Sequence, residues 1–341
     1  MKRKVLKLGN PIQDTYNYDA YTFAILDGNS DNYLPWVFSN YILVMANGDS
    51  SEKGDVFLRF ADCESLKTGL VNRQLLSWSA FSQLGLDINE IVRKFIDQEY
   101  YAYFQVDEYY IPETFCYQKE HFVHDIMIYG YDTEKQIFYV CGYNKEFLFG
   151  RRICTFTEFQ EALYANKCEK DKMWADKIRF YKYNRGMKYP LNTKLIKLYL
   201  KDYLNGESTF ETYDRYDSTE NDVVYGIKVY DLILKHINQV KESIVHNERT
   251  RKLDYRIFRF LFQYKKLMLM RLEYISKNDT DLGEIPEEYK EEYTCSKKIH
   301  GLALRFELLN DTSILDKMSR YITEMEKQDR IILKKVIDKL S

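Results

Sequence analysis

HDIMIYGYD (residues 124–132), the link TEK (133–135) and QIFYVCGYN (136–144) decide how this chain is read. Both flanks are rich in β-branched and aromatic residues and are joined by three residues, which predicts an antiparallel hairpin. The hairpin marks a change of period. Upstream, LDINEIVRKFIDQ (86–98) predicts a helix with Asp87 as its cap and Glu90 at the capping-box spacing. Ile88, Ile91, Val92, Phe95 and Ile96 would form its apolar face. YYAYFQVDEYYI (100–111) reads as a further strand, and TFTEFQEALY (155–164) as a capped helix after the sheet. Two earlier segments, YDAYTFAIL (18–26) and PWVFSNYILVMA (35–46), read as short helices.

Beyond Trp174 the apolar spacing becomes three to four in LNTKLIKLYLKDYL (191–204), YGIKVYDLILKHINQVKESI (225–244), DYRIFRFLFQYKKLMLMRLEYI (254–275) and SILDKMSRYITEMEKQDRIILKKVIDKL (313–340). GLALRFELL (301–309) belongs to another helix. The expected fold is therefore α+β, with a module over 1–175 followed by a C-terminal α-helical module over 176–341. Charge divides the same way. The first part is net acidic, with 18 Lys and Arg against 25 Asp and Glu; the second is net basic, with 32 against 27. Acidic partners are expected to meet the second part.

Composition excludes several classes. The 341 residues are 45% apolar and include 31 Tyr and 20 Phe, enough for a sizeable core and unlike a disordered chain. The net charge of −2 does not ask for nucleic acid. Six cysteines stand without CxxC spacing, so neither a zinc site nor a disulfide framework is expected, and no metal is assigned. The basic start MKRKVLKLGNPIQD lacks the apolar run of a signal peptide, and no stretch approaches a membrane span. A cytoplasmic protein is expected, with no membrane partner.

His124 stands at the mouth of the apolar strand. A histidine there can be a packed structural residue, a metal ligand or a general base. As a base it would activate a thiol, because a free thiol is mostly protonated at neutral pH, and it would need an orienting side chain and an oxyanion donor. In cysteine-protease folds of the papain type the cysteine opens an early helix, the histidine opens a later strand, and an orienting Asn or Asp follows one hairpin on. This chain has that order. Asn144 would be the orienter, or a plain turn residue in GYN. Gln13 would be the oxyanion donor, or an ordinary surface glutamine. Asp125 would point to the opposite strand face, and Asp132 would be solvated in the turn. The position of the thiol, however, holds Ala20.

DNYLPWVFSNYI, VDEYYIP, HDIMIYGYD and DYRIFRFLFQYKKLMLMRLEYI together resemble the butirosin-biosynthesis acyltransferase family, which includes amide-forming enzymes such as the diamine acyltransferase of closthioamide assembly. The resemblance spans most of the chain. It implies a papain-like catalytic module, with the helical module shaping an acyl tunnel or docking a carrier. It also implies transfer of an acyl group from an acyl or peptidyl carrier-protein thioester to an amine or diamine, through a cysteine acyl-enzyme. No cofactor of its own is implied, since the donor's phosphopantetheine belongs to the carrier. His124 would be the base and Ala20 the nucleophile position. Alanine cannot form an acyl-enzyme. It leaves an engineered loss of cysteine, a non-catalytic binding protein, or another thiol, with Cys116 ahead of Cys63. A cysteine peptidase or amidase is a further alternative.

Two charged stretches could serve such a reaction. Asp107, Glu108 and Glu113 could bind the cationic acceptor, or be solvated strand-end charges. Lys177, Arg179, Lys194 and Lys197 belong to a run without an acid from 177 to 201. That run could dock an acidic carrier or be a solvated helix face. RNA binding lacks a stacking motif.

Overall fold

In the computed structural model the hairpin forms where the sequence predicts it, as β6 (Val123–Asp132) and β7 (Ile137–Tyr143). The structure describes residues 2–30, 32–47, 56–61, 70–166, 176–209, 223–246 and 251–340. They divide into two units. Met1–Tyr33 and Lys67–Lys188 form the first, Leu34–Leu66 and Tyr189–Ser341 the second. The boundary thus falls later than 175, and an early segment belongs with the C-terminal helices.

The first unit is built on an antiparallel sheet in the order β4 (Val71–Ser77), β9 (Lys177–Tyr183), β5 (Tyr101–Asp107), β6, β7 and β8 (Phe149–Thr155). β1 (Arg3–Val5) pairs with the end of β6, where a bulge interrupts the register between Ile128 and Gly130. A side chain at Gly130 would come within 2.7 Å of the Lys4 carbonyl, so glycine permits β1 to approach. Alternation sets the two faces. Ala102, Phe104, Val106, Ile126, Ile128, Phe138 and Val140 pack with α4 (Ile88–Asp97) and α5 (Phe156–Ala165) in one core. Tyr103 and Asp125 lie toward α1 (Asn17–Asn29). α1 buries Ala20, Tyr21, Phe23, Ala24, Ile25 and Leu26 completely, which explains its nearly unbroken apolar sequence. α3 (Trp78–Ser82) is a short helix after β4.

The caps refine the sequence reading. Thr155 and Glu158 form a full capping box at α5. At α4, Asp87 accepts from the Asn89 amide, whereas Glu90 pairs with Lys94 at 2.6 Å and completes no box.

The second unit corrects the expected helix over 35–46. α2 (Leu34–Asn40) stops at Asn40, and β2 (Val44–Asn47) follows, between β3 (Phe57–Phe60) and β10 (Val223–Tyr225). The apolar run YILVMA (41–46) carries no period to separate helix from strand. Arg271 secures this corner: its guanidinium donates to the Phe38 carbonyl at 2.7 Å and to the Tyr41 carbonyl, and no part of it is exposed. The remaining elements are α6 (Thr193–Asn205), α7 (Val229–Val245), α8 (Tyr255–Asn278), α9 (Ile285–Leu309) and α10 (Thr312–Lys339). The stretch 301–309 is the end of α9.

Within these helices lies a buried polar centre. Asp329 accepts from Tyr203 (2.6 Å) and Tyr230 (2.7 Å) on one oxygen, and from Lys265 and Tyr289 (3.3 Å) on the other. Lys265 and Asp329 are both wholly buried. Glu292, 5% exposed, is pushed up to about 7 by burial, against the pull of Lys265. No helix among the described residues is long and apolar enough to cross a membrane.

Candidate functional site around His124

The corner between β5 and β6 builds the site. Asp107 ends β5 and caps a single 3-10 turn over Glu108–Tyr110, accepting from the amides of Tyr109 and Phe122 at 3.1 Å each. Its other oxygen meets His121 Nδ1 at 2.6 Å. The Glu108 amide donates to the Phe122 carbonyl at 2.8 Å, tying the turn to the start of β6. This construction aims the buried Glu108 carboxylate at His124, whose Nδ1 lies 2.9 Å from Oε1.

The other ring nitrogen, Nε2, is 3.7 Å from Asp125 Oδ1. Asp125 is held in turn by Tyr103, whose hydroxyl donates to Oδ2 at 2.7 Å. Its carbonyl accepts from the Tyr21 hydroxyl at 2.8 Å and from Asn17 Nδ2 at 3.2 Å. Burial, reinforced by Asp125, holds both tyrosines well above their ordinary value, so their hydroxyls remain donors. The Tyr143 ring lies nearly parallel to the imidazole, 6.1 Å away, and its hydroxyl donates to the Asp14 carbonyl at 2.6 Å.

Burial of the imidazole pulls its pKa down. The Asp125 charge, with the hydrogen bond and charge of Glu108, outweighs that pull, and the net shift is upward. The neighbouring carboxylates thus favour the charged ring of His124 relative to a free histidine. Its side chain is still 28% exposed, enough for a ligand to reach it. A raised folded pKa stabilises the fold fully below the unfolded value, and that stabilisation is lost as pH rises through the folded value. Glu108→Gln is expected to lower the His124 pKa and weaken this pH dependence. An NMR titration of the imidazole Hε1 checks it, and an unchanged midpoint would remove Glu108 from the account.

The sequence-predicted residues fare differently. Asn17 and Tyr21, four apart on α1, bracket Ala20 and both reach the Asp125 carbonyl, so Ala20 lies on the turn of α1 that meets the start of β6. Gln13 is not a surface residue: it is 1% exposed, and neither amide atom has a hydrogen-bond partner among the described residues. Asn144 is not the orienter. Its Oδ1 accepts from the Glu146 and Leu148 amides and closes the turn between β7 and β8. The carboxylate at hydrogen-bond distance from His124 Nδ1 is that of Glu108. Asp125 does not simply face away, because at the strand mouth the imidazole reaches back toward it. Asp132 is buried and accepts from the Glu134 and Lys135 amides.

Asp107, Glu108 and Glu113 do not form an amine-binding cluster. Asp107 is taken up by the corner, Glu108 by His124, and Glu113 is exposed in a turn at φ 63°. The basic run is not one helix face either. Lys177 and Arg179 lie in β9 of the first unit, Lys194 and Lys197 in α6 of the second. Arg179 is buried with its guanidinium over the Tyr103 ring, and Lys197 donates to the Leu340 carbonyl; Lys194 alone of the four is exposed.

Cys116 is a poor nucleophile. Burial and a 3.5 Å contact with Glu120 push its thiol up to about 11. Cys141 and Cys154 are fully buried, and burial raises both. Cys63 and Cys168 lie outside the described residues. No group of three or more His, Cys, Asp or Glu among the described residues is arranged to hold a metal ion. Comparisons with protein-family models and with curated proteins found no match to this chain.

Proposed function

We propose that this chain binds an acyl ligand of a carrier-protein pathway without forming an acyl-enzyme, on a module of the papain-like thiol-acyltransferase kind. The observation that supports it is the clamp on His124. Glu108 holds Nδ1 at 2.9 Å and Asp125 lies 3.7 Å from Nε2, beyond hydrogen-bond reach, while the position expected to carry the thiol is Ala20, which cannot form an acyl-enzyme. Nε2 is the ring nitrogen left to donate to the carbonyl oxygen of a thioester or amide, and the exposed part of the ring is where that oxygen would meet it.

A second reading, an amide-forming acyltransferase, is favoured by the bracketing of Ala20 against the start of β6. On that reading the donor is a thioester on an acyl or peptidyl carrier protein and the acceptor is an amine or diamine.

Hexanoyl-N-acetylcysteamine, offered with and without a short diamine, separates the two. The expected result is saturable binding by calorimetry, no release of thiol, and no mass adduct on the protein. His124→Ala is expected to weaken binding about tenfold, the worth of one charge-assisted hydrogen bond. Thiol release that depends on His124 would overturn the binder in favour of the enzyme. Absence of binding would reject both.

A further inference from the structure

Arg152 sits in β8 opposite Val140, only 6% exposed. Its Nη1 donates to the Tyr143 carbonyl. Nε and Nη2 are also buried, and among the described residues no acceptor reaches either. These two N–H groups lie on one edge of the planar guanidinium, the edge that takes both oxygens of a carboxylate. A guanidinium keeps its charge in proteins, so a buried edge without acceptors is a strong demand for an anion or for water.

The edge lies close to His124's partners. A Cβ built on Gly142 would stand 2.9 Å from Arg152 Nη2, 3.2 Å from the Tyr21 hydroxyl and 3.4 Å from the Asp125 carbonyl. Glycine at 142 is therefore what lets the guanidinium reach this point. Tyr143 connects a second unmet group. Its carbonyl receives Arg152 Nη1 and its hydroxyl reaches Asp14, the neighbour of Gln13, whose amide is buried without a partner. Asn17, which donates to the Asp125 carbonyl, also keeps a buried Oδ1 without a partner. The carboxylates of Glu108 and Asp125 are engaged elsewhere, Glu108 with His124 and Asp125 with Tyr103 and His124.

We propose that the Nε/Nη2 edge of Arg152 receives a carboxylate carried by the bound ligand, next to the group held by His124. This rests on the reading of His124's surroundings as the ligand site, though not on any acyl transfer. The paired edge takes both oxygens of a carboxylate, and phosphate, which such an edge can also hold, is a separate arm of the test. The natural ligand would then be an acid as well as an acyl compound, such as an acylated amino acid.

The test follows the arginine Nε–Hε resonances of the ¹⁵N-labelled full chain during titration with sodium butyrate, with inorganic phosphate, and with sodium chloride at matched ionic strength. The expected result is a saturable shift of the Arg152 resonance with butyrate and none with chloride. Arg152→Lys keeps a charge but removes the paired edge, and should weaken butyrate binding about tenfold, read from other shifted resonances. Assignment through bonds in the unaltered protein makes the readout independent of whether that variant folds. No saturable shift up to about 100 mM, well above the millimolar range of so small a fragment, would mean that water fills the edge and would overturn the proposal. Saturation by phosphate alone would overturn the choice of carboxylate. Butyrate carries no thioester, so its failure to bind leaves the thioester experiment to be judged separately.

Discussion

Asp329→Ala is expected to destabilise the helical unit by about 3–5 kcal/mol, the loss typical when a buried ion pair is broken from one side. Asp329 is the common acceptor for Lys265, Tyr203, Tyr230 and Tyr289. Without it, Lys265 would be left as a fully buried ammonium, with the Glu292 carboxyl and the rings of Tyr230 and Tyr289 at 5.6 and 5.3 Å as compensation. Such ring contacts contribute about 2 kcal/mol when desolvated, short of what a lost carboxylate supplied. Three buried hydroxyls would lose their acceptor as well, each at roughly 1–3 kcal/mol before relaxation. The companion variant Lys265→Met with Asp329→Leu removes both charges and should recover much of the loss. Urea unfolding followed by helical circular dichroism measures both. A single variant that loses less than about 1 kcal/mol would show that the centre is open to water and is not a closed core.

The same centre shows what a sequence can hide. Tyr203, Tyr230, Lys265, Tyr289 and Asp329 lie on five helices, and nothing in their local spacing distinguishes them from surface positions. The helices themselves were legible because their apolar stripes repeat over three or more turns. The hairpin at 124–144 was legible for the corresponding reason, two β-rich runs around a short turn. β9 was not, because KIRFYKY alternates cations with aromatics and reads as a basic stretch, although its sheet neighbours bury Arg179 against Tyr103. β2 escaped because the only break between the helix and YILVMA is the pair Ser39–Asn40, too short to separate two elements by pattern.

The site was half legible. His124 stood out because it opens an apolar strand, and Gln13 was singled out by its distance from the early helix. Glu108 carried a usable signal that was read differently. An Asp–Glu pair at a strand end can turn the chain through the aspartate, which Asp107 does, leaving the next carboxylate free to face back. Asn144 was misplaced because its position in the order of strands said nothing about the turn amides that claim its oxygen. Arg152 left no trace in FGRRICT, where two adjacent arginines look equally solvent-bound. Only the pairing of β8 with β7 shows that one is buried while Arg151 reaches the Leu8 carbonyl at the surface.

Ala20→Cys is expected to give the largest change in reactivity. Ala20 lies between Asn17 and Tyr21 on the turn of α1 that reaches the Asp125 carbonyl, one residue from His124. Two effects would oppose each other on a thiol placed there. Complete burial raises its pKa, as burial does for Cys141, while a nearby imidazolium lowers it. The imidazolium should prevail if Sγ comes within hydrogen-bond reach, because thiols paired with a histidine cation fall to roughly 3.5–7.5. At pH 7 the thiolate fraction would then rise about tenfold or more over a free thiol. Packing an extra sulfur into a filled site costs about 1–3 kcal/mol, so a thermal melt must first show that the variant folds. Iodoacetamide kinetics and intact mass after hexanoyl-N-acetylcysteamine then report the outcome. Fast alkylation and a hexanoyl adduct on Cys at 20, both lost when His124→Ala is added, would mean that position 20 is the nucleophile site of an acyl-transfer scaffold and that alanine alone keeps this chain a binder. A folded variant whose new thiol is as inert as Cys141 would separate position 20 from His124 chemically. The resemblance to thiol acyltransferases would then end at the order of helix and strand, and the Glu108–His124–Asp125 clamp would stand as a binding element in its own right.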